Sequence, residues 1–92
     1  MDALYSVSSQ GDVASLRVFL DAGISPNLAE SSGLTPLMGA AKGNQVEAAR
    51  MLIRAGADVN ARATQNRTAL GIAKAGRFTT LTELLEGAGA QD

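Results

Sequence analysis

The sequence predicts an all-α fold, a short solenoid made of three stacked structural units. The first observation is a period of 33 residues. Residues that recur at this distance form the pairs Leu37 and Leu70, Leu52 and Leu85, and Gly56 and Gly89. The second observation is the helical spacing of apolar residues, as at Leu16, Phe19 and Leu20. A fixed period of this length is typical of units that bury their apolar faces against one another.

The first unit is the most divergent copy and is predicted to form one end of the solenoid. Its first helical stretch carries polar residues around Leu4 and Val7, which indicates a polar cap. These polar residues are Ser6, Ser8, Ser9 and Gln10. Gly23 is expected to end the second helix of this unit, because glycine readily adopts the left-handed conformation found there.

The middle unit carries the clearest helix signals. Thr35 is predicted to cap its first helix, with Pro36 at the first helical position, where a missing N–H is harmless. Asn44 stands in the turn between the two helices and is expected to adopt a positive φ. Glu47 precedes Arg50 by three residues, a spacing that favours an ion pair on a helix surface.

The last unit is predicted to form the other end. Asn66, in the turn before it, is suited to a positive φ. Lys74 and Glu86 stand where the middle unit has apolar residues, and a polar outer face keeps a terminal repeat soluble. Beyond Gly89 the chain is expected to fray over residues 90–92.

Two segments of the middle unit resemble the ankyrin repeat, whose signature is Thr-Pro-Leu-His-x-Ala. Thr35–Ala41 matches this signature except at Met38, and Leu52–Ala61 is similar to the family's Leu-Leu-x-x-Gly-Ala-Asp-Val-Asn-Ala. The resemblance covers nearly the whole chain and implies three helix–turn–helix repeats with projecting β-turns, in a single domain. The implied domain spans residues 1–92, with repeats at 2–34, 35–67 and 68–92. Because Met38 stands where the family has His, the polar tie that His makes between repeats is expected to be lost.

The residue types present argue against an enzyme. The chain has no Cys and no His, which removes thiolate nucleophiles, zinc–thiolate sites and the commonest general base. Its carboxylates are scattered without a metal-loop spacing. The run Gly39–Gly43 lacks the Gly-Lys-Ser/Thr ending of a phosphate-binding loop. We therefore expect no catalytic residue, no cofactor and no metal.

Composition also argues against membrane and nucleic-acid partners. No apolar run approaches the length needed to cross a bilayer, and no secretory signal is recognisable. The net charge is −1 and aromatic residues make up only 3% of the chain, so the basic stretch lacks stacking groups for bases. The expected location is the cytoplasm.

Charge is distributed unevenly along the chain. Seven basic residues lie between Lys42 and Arg77, against only Glu47 and Asp58. This excess fits an acidic protein partner that is attracted electrostatically. It fits equally well a set of solvated helices and turns that need charges of either sign, so both interpretations stay open.

The resemblance implies a non-catalytic protein-interaction module. Ankyrin proteins bind partners through the tips of the projecting turns and the exposed side of the first helices, which line a concave groove. By register, the positions expected to contact a partner are Ser31, Ser32, Leu34, Lys42, Thr64, Gln65, Arg67 and Ala75, extended by Ser9, Gln10, Gly43 and Gly76. Leu34 and Arg67 are the expected anchors. Tyr5 and Phe78 are further candidates, although packing under the cap and against the last turn would also account for them.

The oligomeric state follows less directly from the sequence. Polar end repeats favour a monomer. Because about three repeats are the minimum for a stable core, the alternative is a structural unit that self-associates through its end faces or forms part of a larger repeat assembly.

Overall fold

A computed structural model describes residues 3–91, which contain six α-helices and no β-strand. The helices are α1 Ala3–Gln10, α2 Val13–Asp21, α3 Pro36–Lys42, α4 Val46–Arg54, α5 Ala69–Ala75 and α6 Thr79–Gly87. A short 3₁₀ turn at Thr64–Asn66 precedes α5. The all-α prediction is therefore confirmed. The repeat limits predicted at residues 2 and 92, and the fraying predicted at Asp92, lie outside the described residues.

The helices form two layers. In the inner layer α3 packs between α1 and α5, and in the outer layer α4 packs between α2 and α6. Leucines and alanines fill the space between the layers, and Leu37, Ala40 and Leu52 are at most 1% exposed. Met38 is equally buried, so an apolar contact stands where the family's His would have made a polar one.

Threonine caps start the inner helices of the second and third repeats. Thr35 Oγ1 accepts a hydrogen bond from the Met38 N–H at 3.2 Å. At the matching place in the third repeat, Thr68 Oγ1 accepts from the Gly71 N–H at 3.0 Å. Such a cap stabilises a helix by about 1 kcal/mol. Pro36 occupies the first turn of α3, and the predicted start of this helix is confirmed.

Left-handed residues recur with the same period between the helices of each repeat. Gly11, Asn44 and Arg77 have φ values of 73°, 55° and 59°. The positive φ predicted at Asn44 is confirmed, and so are those at Gly23 and Asn66. Arg77 was not predicted, because its side chain carries no local preference for this conformation.

The first repeat ends in a surface that is less polar than predicted. Ser8 is fully buried, and its Oγ donates to the Leu4 carbonyl at 2.7 Å. A small side chain that bonds within its own helix fits this position without an unpaired polar group. The prediction that Ser8 forms part of a polar cap is therefore wrong. Exposed apolar side chains at this end include Ile24 and Leu28.

Asparagine side chains join consecutive repeats. Asn27 Nδ2 donates to the Gly56 carbonyl at 3.3 Å, and Asn27 Oδ1 accepts from the Asp58 N–H at 2.7 Å. The side chain thus holds the turn that follows α4 from one repeat away.

Asn60 binds the end of the described chain through the same pair of side-chain hydrogen bonds that Asn27 makes. Asn60 Nδ2 donates to the Gly89 carbonyl at 3.2 Å, and the Gln91 N–H donates to Asn60 Oδ1 at 2.8 Å. The Ala90 N–H bonds to a carbonyl in α6 at 3.0 Å. Ala90 and Gln91, where fraying was predicted, therefore each have a hydrogen-bonded main-chain N–H.

Candidate protein-binding surface

Two hairpin turns project from the starts of the second and third inner helices. In the first hairpin the Glu30 N–H donates to the Leu34 carbonyl at 2.9 Å. In the second hairpin the Ala63 N–H donates to the Arg67 carbonyl at 2.8 Å. We define the concave face as these two hairpins together with the exposed sides of α1, α3 and α5.

The hairpins are joined to each other through the main chain. The Thr64 N–H donates to the Ser32 carbonyl at 3.1 Å. At the tip of the second hairpin, Gln65 and Asn66 are consecutive left-handed residues with φ values of 63° and 58°. This pair turns the chain sharply and leaves the Gln65 side chain exposed. The left-handed Gln65 was not predicted, since glutamine has no preference for this conformation.

Arg67 lies folded back along its own hairpin. Its Nε–H donates to the Thr64 carbonyl at 3.2 Å, and its Nη2 donates to Thr64 Oγ1 at 3.2 Å. The residue remains exposed. A guanidinium held in place in this way loses less conformational entropy when it binds a partner than a free side chain does.

Tyr5 lies where charges from two different hairpins meet. Partial burial raises the pKa of Tyr5, the Glu30 carboxylate raises it further, and the Arg67 guanidinium lowers it. Charges of both hairpins therefore act on the Tyr5 hydroxyl, although the three residues are far apart in the sequence. The sequence marked Tyr5 and Arg67 as candidates but gave no signal that would place Glu30 with them.

A cleft of about 340 Å³ opens beside Arg67. Its lining comes from the second hairpin and from one side of α5, through Gln65, Asn66, Arg67, Thr68, Gly71, Ile72 and Ala75. The hairpin supplies polar groups, whereas α5 supplies a floor of small and apolar residues. Gly71 and Ala75 are exposed on this floor, so the cleft can take a side chain from outside.

The structure brings three of the predicted contact residues together at this cleft: Gln65, Arg67 and Ala75. The other exposed positions of the predicted set are Ser31, Lys42, Thr64, Gln10, Gly43 and Gly76. The half-buried ones are Ser9, Ser32 and Leu34. Leu34 packs against the core, and this position limits its value as an anchor for a partner.

Gly43 and Gly76, two residues of the predicted surface, lie so close to neighbouring groups that a side chain would not fit. A Cβ on Gly43 would collide with the Ser9 carbonyl oxygen. A Cβ on Gly76 would lie 2.6 Å from Phe78 Cε2, which shows that the Phe78 ring covers the last inter-helix turn. These contacts support the packing interpretation of Phe78.

Part of the basic excess lies away from the concave face. Arg50 belongs to the outer helix α4 and pairs with Glu47 at 3.4 Å between Nε and Oε1. This is the ion pair that the sequence predicted. Arg54 follows on the same helix and lines a cleft between α2 and α4. Arg67 is therefore better placed than either residue to meet a partner in the concave groove.

Other classes of site find no support in the described part of the chain. Within residues 3–91, no cluster of three or more acidic side chains could hold a metal ion. None of the helices in this range is long and apolar enough to cross a membrane.

The geometry agrees with the comparisons with known proteins. A family model described as ankyrin repeats, in three copies, matches residues 3–92. The chain belongs to the ankyrin repeat family. Its fold is similar to that in the crystal structure of the human ASB11 ankyrin repeat domain, with a TM-score of 0.93 and 25% sequence identity. The match covers 99% of this chain and 41% of that one, so these ankyrin repeats span less than half of that domain. Ankyrin repeats are generally non-catalytic modules for protein–protein interaction.

Proposed function

We propose that this ankyrin repeat chain binds an acidic segment of a partner protein through its concave face. The observation that carries the proposal is the position of Arg67, which Thr64 holds at the edge of the cleft over α5. A fixed guanidinium beside an open cleft is suited to a carboxylate, because its planar N–H groups match the two oxygens.

The floor of the cleft adds an apolar requirement. Gly71 and Ala75 project little side chain, and Ile72 is half-buried beside them. A partner residue with an apolar side chain can cover this floor while a neighbouring carboxylate meets Arg67. The expected ligand is therefore an extended segment in which acidic and apolar residues alternate.

Glu30 places a negative charge on the side of the first hairpin, so the charge of the concave face is uneven. Its carboxylate acts on the Tyr5 hydroxyl from the side of the first hairpin. An acidic group of the partner is repelled there and attracted at Arg67, since like charges across an interface oppose binding. The segment is therefore expected to place its acidic residues toward the third repeat.

Selection from a library of displayed random peptides tests this function. Peptides captured by the chain should be enriched in Asp and Glu next to an apolar residue. Arg67→Glu should abolish their capture, because it replaces attraction by repulsion at the cleft. Arg54→Glu, which makes the same charge change on the outer layer, is the matched control and should leave capture intact.

Two outcomes would contradict the proposal. One is a selected set without acidic enrichment. The other is loss of capture in Arg54→Glu while Arg67→Glu still binds, which would move the site to the outer helices. Leu34→Ala should be tested separately, because Leu34 packs against the core and its loss lowers stability as well as contact area.

A further inference from the structure

The cleft beside Arg67 contains a position where the third repeat has no side chain and the other two repeats have a large one. By the 33-residue register, Gly71 stands where the second repeat has Met38 and the first has Tyr5. Met38 is only 1% exposed, whereas Gly71 is exposed and lines the cleft. The third repeat is therefore open at a position that a large buried side chain occupies in the second.

Two further lining positions distinguish the third repeat from the second. Ala75 matches Lys42, so a methyl group stands where the second repeat has a long charged side chain. Arg67 matches Leu34. Leu34 packs against the core, whereas Arg67 is exposed at the edge of the cleft and bonded to Thr64. The third repeat thus combines small floor positions with a positive charge that is held at the rim.

The cleft is large enough for an aromatic side chain. Its volume is about 340 Å³, and an apolar cavity of about 150 Å³ in a protein holds one benzene molecule. Apart from its chain neighbours, a Cβ added at Gly71 would meet one side-chain atom of the described residues within 4 Å, Thr68 Oγ1 at 3.3 Å. A small aliphatic group of a partner would leave most of the cleft to water, and the lining would lose the contacts that a larger group makes.

The guanidinium of Arg67 favours an aromatic ring over an aliphatic group of similar size. Its Nε–H and an Nη2 N–H donate to Thr64, and these two donors lie on one edge of the planar group. A guanidinium bonded along one edge can still stack its face on a ring and bind a carboxylate through its remaining N–H groups. Leu, Ile and Val offer no ring for such stacking. Arg67 can therefore meet two neighbouring residues of a partner at once, one acidic and one aromatic.

We propose that the cleft beside Arg67 binds an aromatic side chain of the partner segment, next to the carboxylate that meets Arg67. The ring lies over Gly71 and Ala75, and one of its faces contacts the guanidinium. This inference rests on the proposed binding of an acidic segment, and it names the apolar residue of that segment. The recognised unit is an acidic residue beside Phe, Tyr or Trp.

Selection from the random-peptide library with the full 92-residue chain tests the inference. Beside Asp or Glu, the captured peptides should carry Phe, Tyr or Trp more often than Leu, Ile or Val, relative to the unselected library. Two synthetic peptides of one captured sequence, which differ only in having Phe or Leu beside Asp, measure the preference by fluorescence anisotropy. The Phe peptide should bind about twofold to fivefold more tightly, the range for a cation–π contact at an exposed site.

Filling the cleft should remove this preference. Gly71→Met gives the third repeat the side chain that the second repeat has at position 38. The variant should bind the two peptides equally and retain acidic enrichment, because Arg67 is unchanged. Methionine is a better helix former than glycine, and circular dichroism checks that the variant is folded. Gly87→Met is the matched control and should keep the preference, since a Cβ at this glycine of α6 would meet nothing within 4 Å in the described part of the chain.

Arg67→Lys provides a second test, because it keeps the positive charge and loses the planar group. It should retain capture of acidic peptides and reduce the preference for Phe over Leu. Equal binding of the two peptides by the wild-type chain would overturn the inference and leave the proposed function standing. So would a preference that Gly71→Met retains in full, because the ring would then lie elsewhere. A captured set without acidic enrichment would instead overturn the proposed function, and the aromatic site with it.

Discussion

The ring of Tyr5 occupies the space beside Gly39 that a side chain at position 39 would need. A Cβ on Gly39 would lie 3.0 Å from both Cδ2 and Cε2 of the ring and 3.1 Å from the Tyr5 carbonyl oxygen. The contact brings α1 close to α3 and sets the Tyr5 hydroxyl near charges of the concave face. A missing side chain in the second repeat therefore positions a candidate binding residue of the first.

Gly39→Ala should lower the free energy of unfolding by about 1–3 kcal/mol, because overpacking forces the ring and the two helices apart. Urea unfolding followed by circular dichroism measures this change. Gly87→Ala is the matched control, since Gly87 is also helical and a Cβ there would meet nothing within 4 Å. That variant should be neutral or slightly stabilised. Equal losses in both variants would contradict the packing role given to Gly39.

Titration of Tyr5 should report the charges of the concave face. Tyr5 is the one tyrosine in the chain, so near-ultraviolet absorbance follows its ionisation without interference. Glu30→Gln should lower the pKa of Tyr5, because a nearby negative charge that disfavours tyrosinate is removed. Arg67→Gln should raise the pKa of Tyr5, because a stabilising positive charge is lost. Arg54→Gln, on the outer layer, is the control and should leave the pKa of Tyr5 unchanged. If neither Glu30→Gln nor Arg67→Gln moves the pKa of Tyr5 in the stated direction, the two charges do not act on its hydroxyl.

The two sets of hydrogen bonds made by Asn27 and Asn60, here called the asparagine clamps, should protect different backbone amides from hydrogen exchange. Asn27→Ala should speed hydrogen exchange at the Asp58 N–H, and Asn60→Ala should speed exchange at the Gln91 N–H, since each variant removes the acceptor of that bond. The two variants serve as controls for each other when exchange is measured by NMR. Each should also lower stability by about 1–2 kcal/mol, the net value of a pair of hydrogen bonds. Unchanged exchange at both amides would show that the clamps are not maintained in solution.

A glycine in the turn between the helices of the third repeat should make the chain more stable. Arg77 has a φ of 59°, a conformation that costs a residue with a side chain about 1–2 kcal/mol. Arg77→Gly should therefore raise the free energy of unfolding, by about 0.5–1 kcal/mol once the greater freedom of glycine in the unfolded chain is counted. Asn44→Gly, at the matching turn of the second repeat, should change it much less, because asparagine tolerates this conformation. Thermal unfolding compares the two, and a destabilised Arg77→Gly would contradict the assignment of strain to this turn.

The repeat period made most of the fold predictable. Thr35, Pro36 and Asn44 each carry a local preference that agrees with the place the period gives them, so cap, helix start and turn were all anticipated. Prediction failed where register and residue type disagree. Arg77 takes the same left-handed conformation as Gly11 and Asn44 at the matching place in its repeat, and the 33-residue shift was the signal that could have identified it.

The candidate site was predictable only as a set of positions. Register marked Gln65, Arg67 and Ala75, but it could not show that they line one cleft, because that depends on how the second hairpin turns. The left-handed Gln65 decides this turn, and no property of glutamine indicates it. Ser8 shows the converse case, in which a polar residue was assigned to the surface although its hydroxyl bonds within its own helix.

The main-chain hydrogen bond between Thr64 and Ser32 has an evolutionary consequence. Because it uses a backbone N–H and a backbone carbonyl, the spacing between the two hairpins does not depend on which side chains occupy those positions. Substitutions at Ser31, Ser32 or Gln65 can therefore change which target is recognised while the distance between the tips stays fixed. The side chains of these loops determine recognition, whereas their main-chain atoms determine the spacing. Evolution can therefore change the target of the loops without changing their structure.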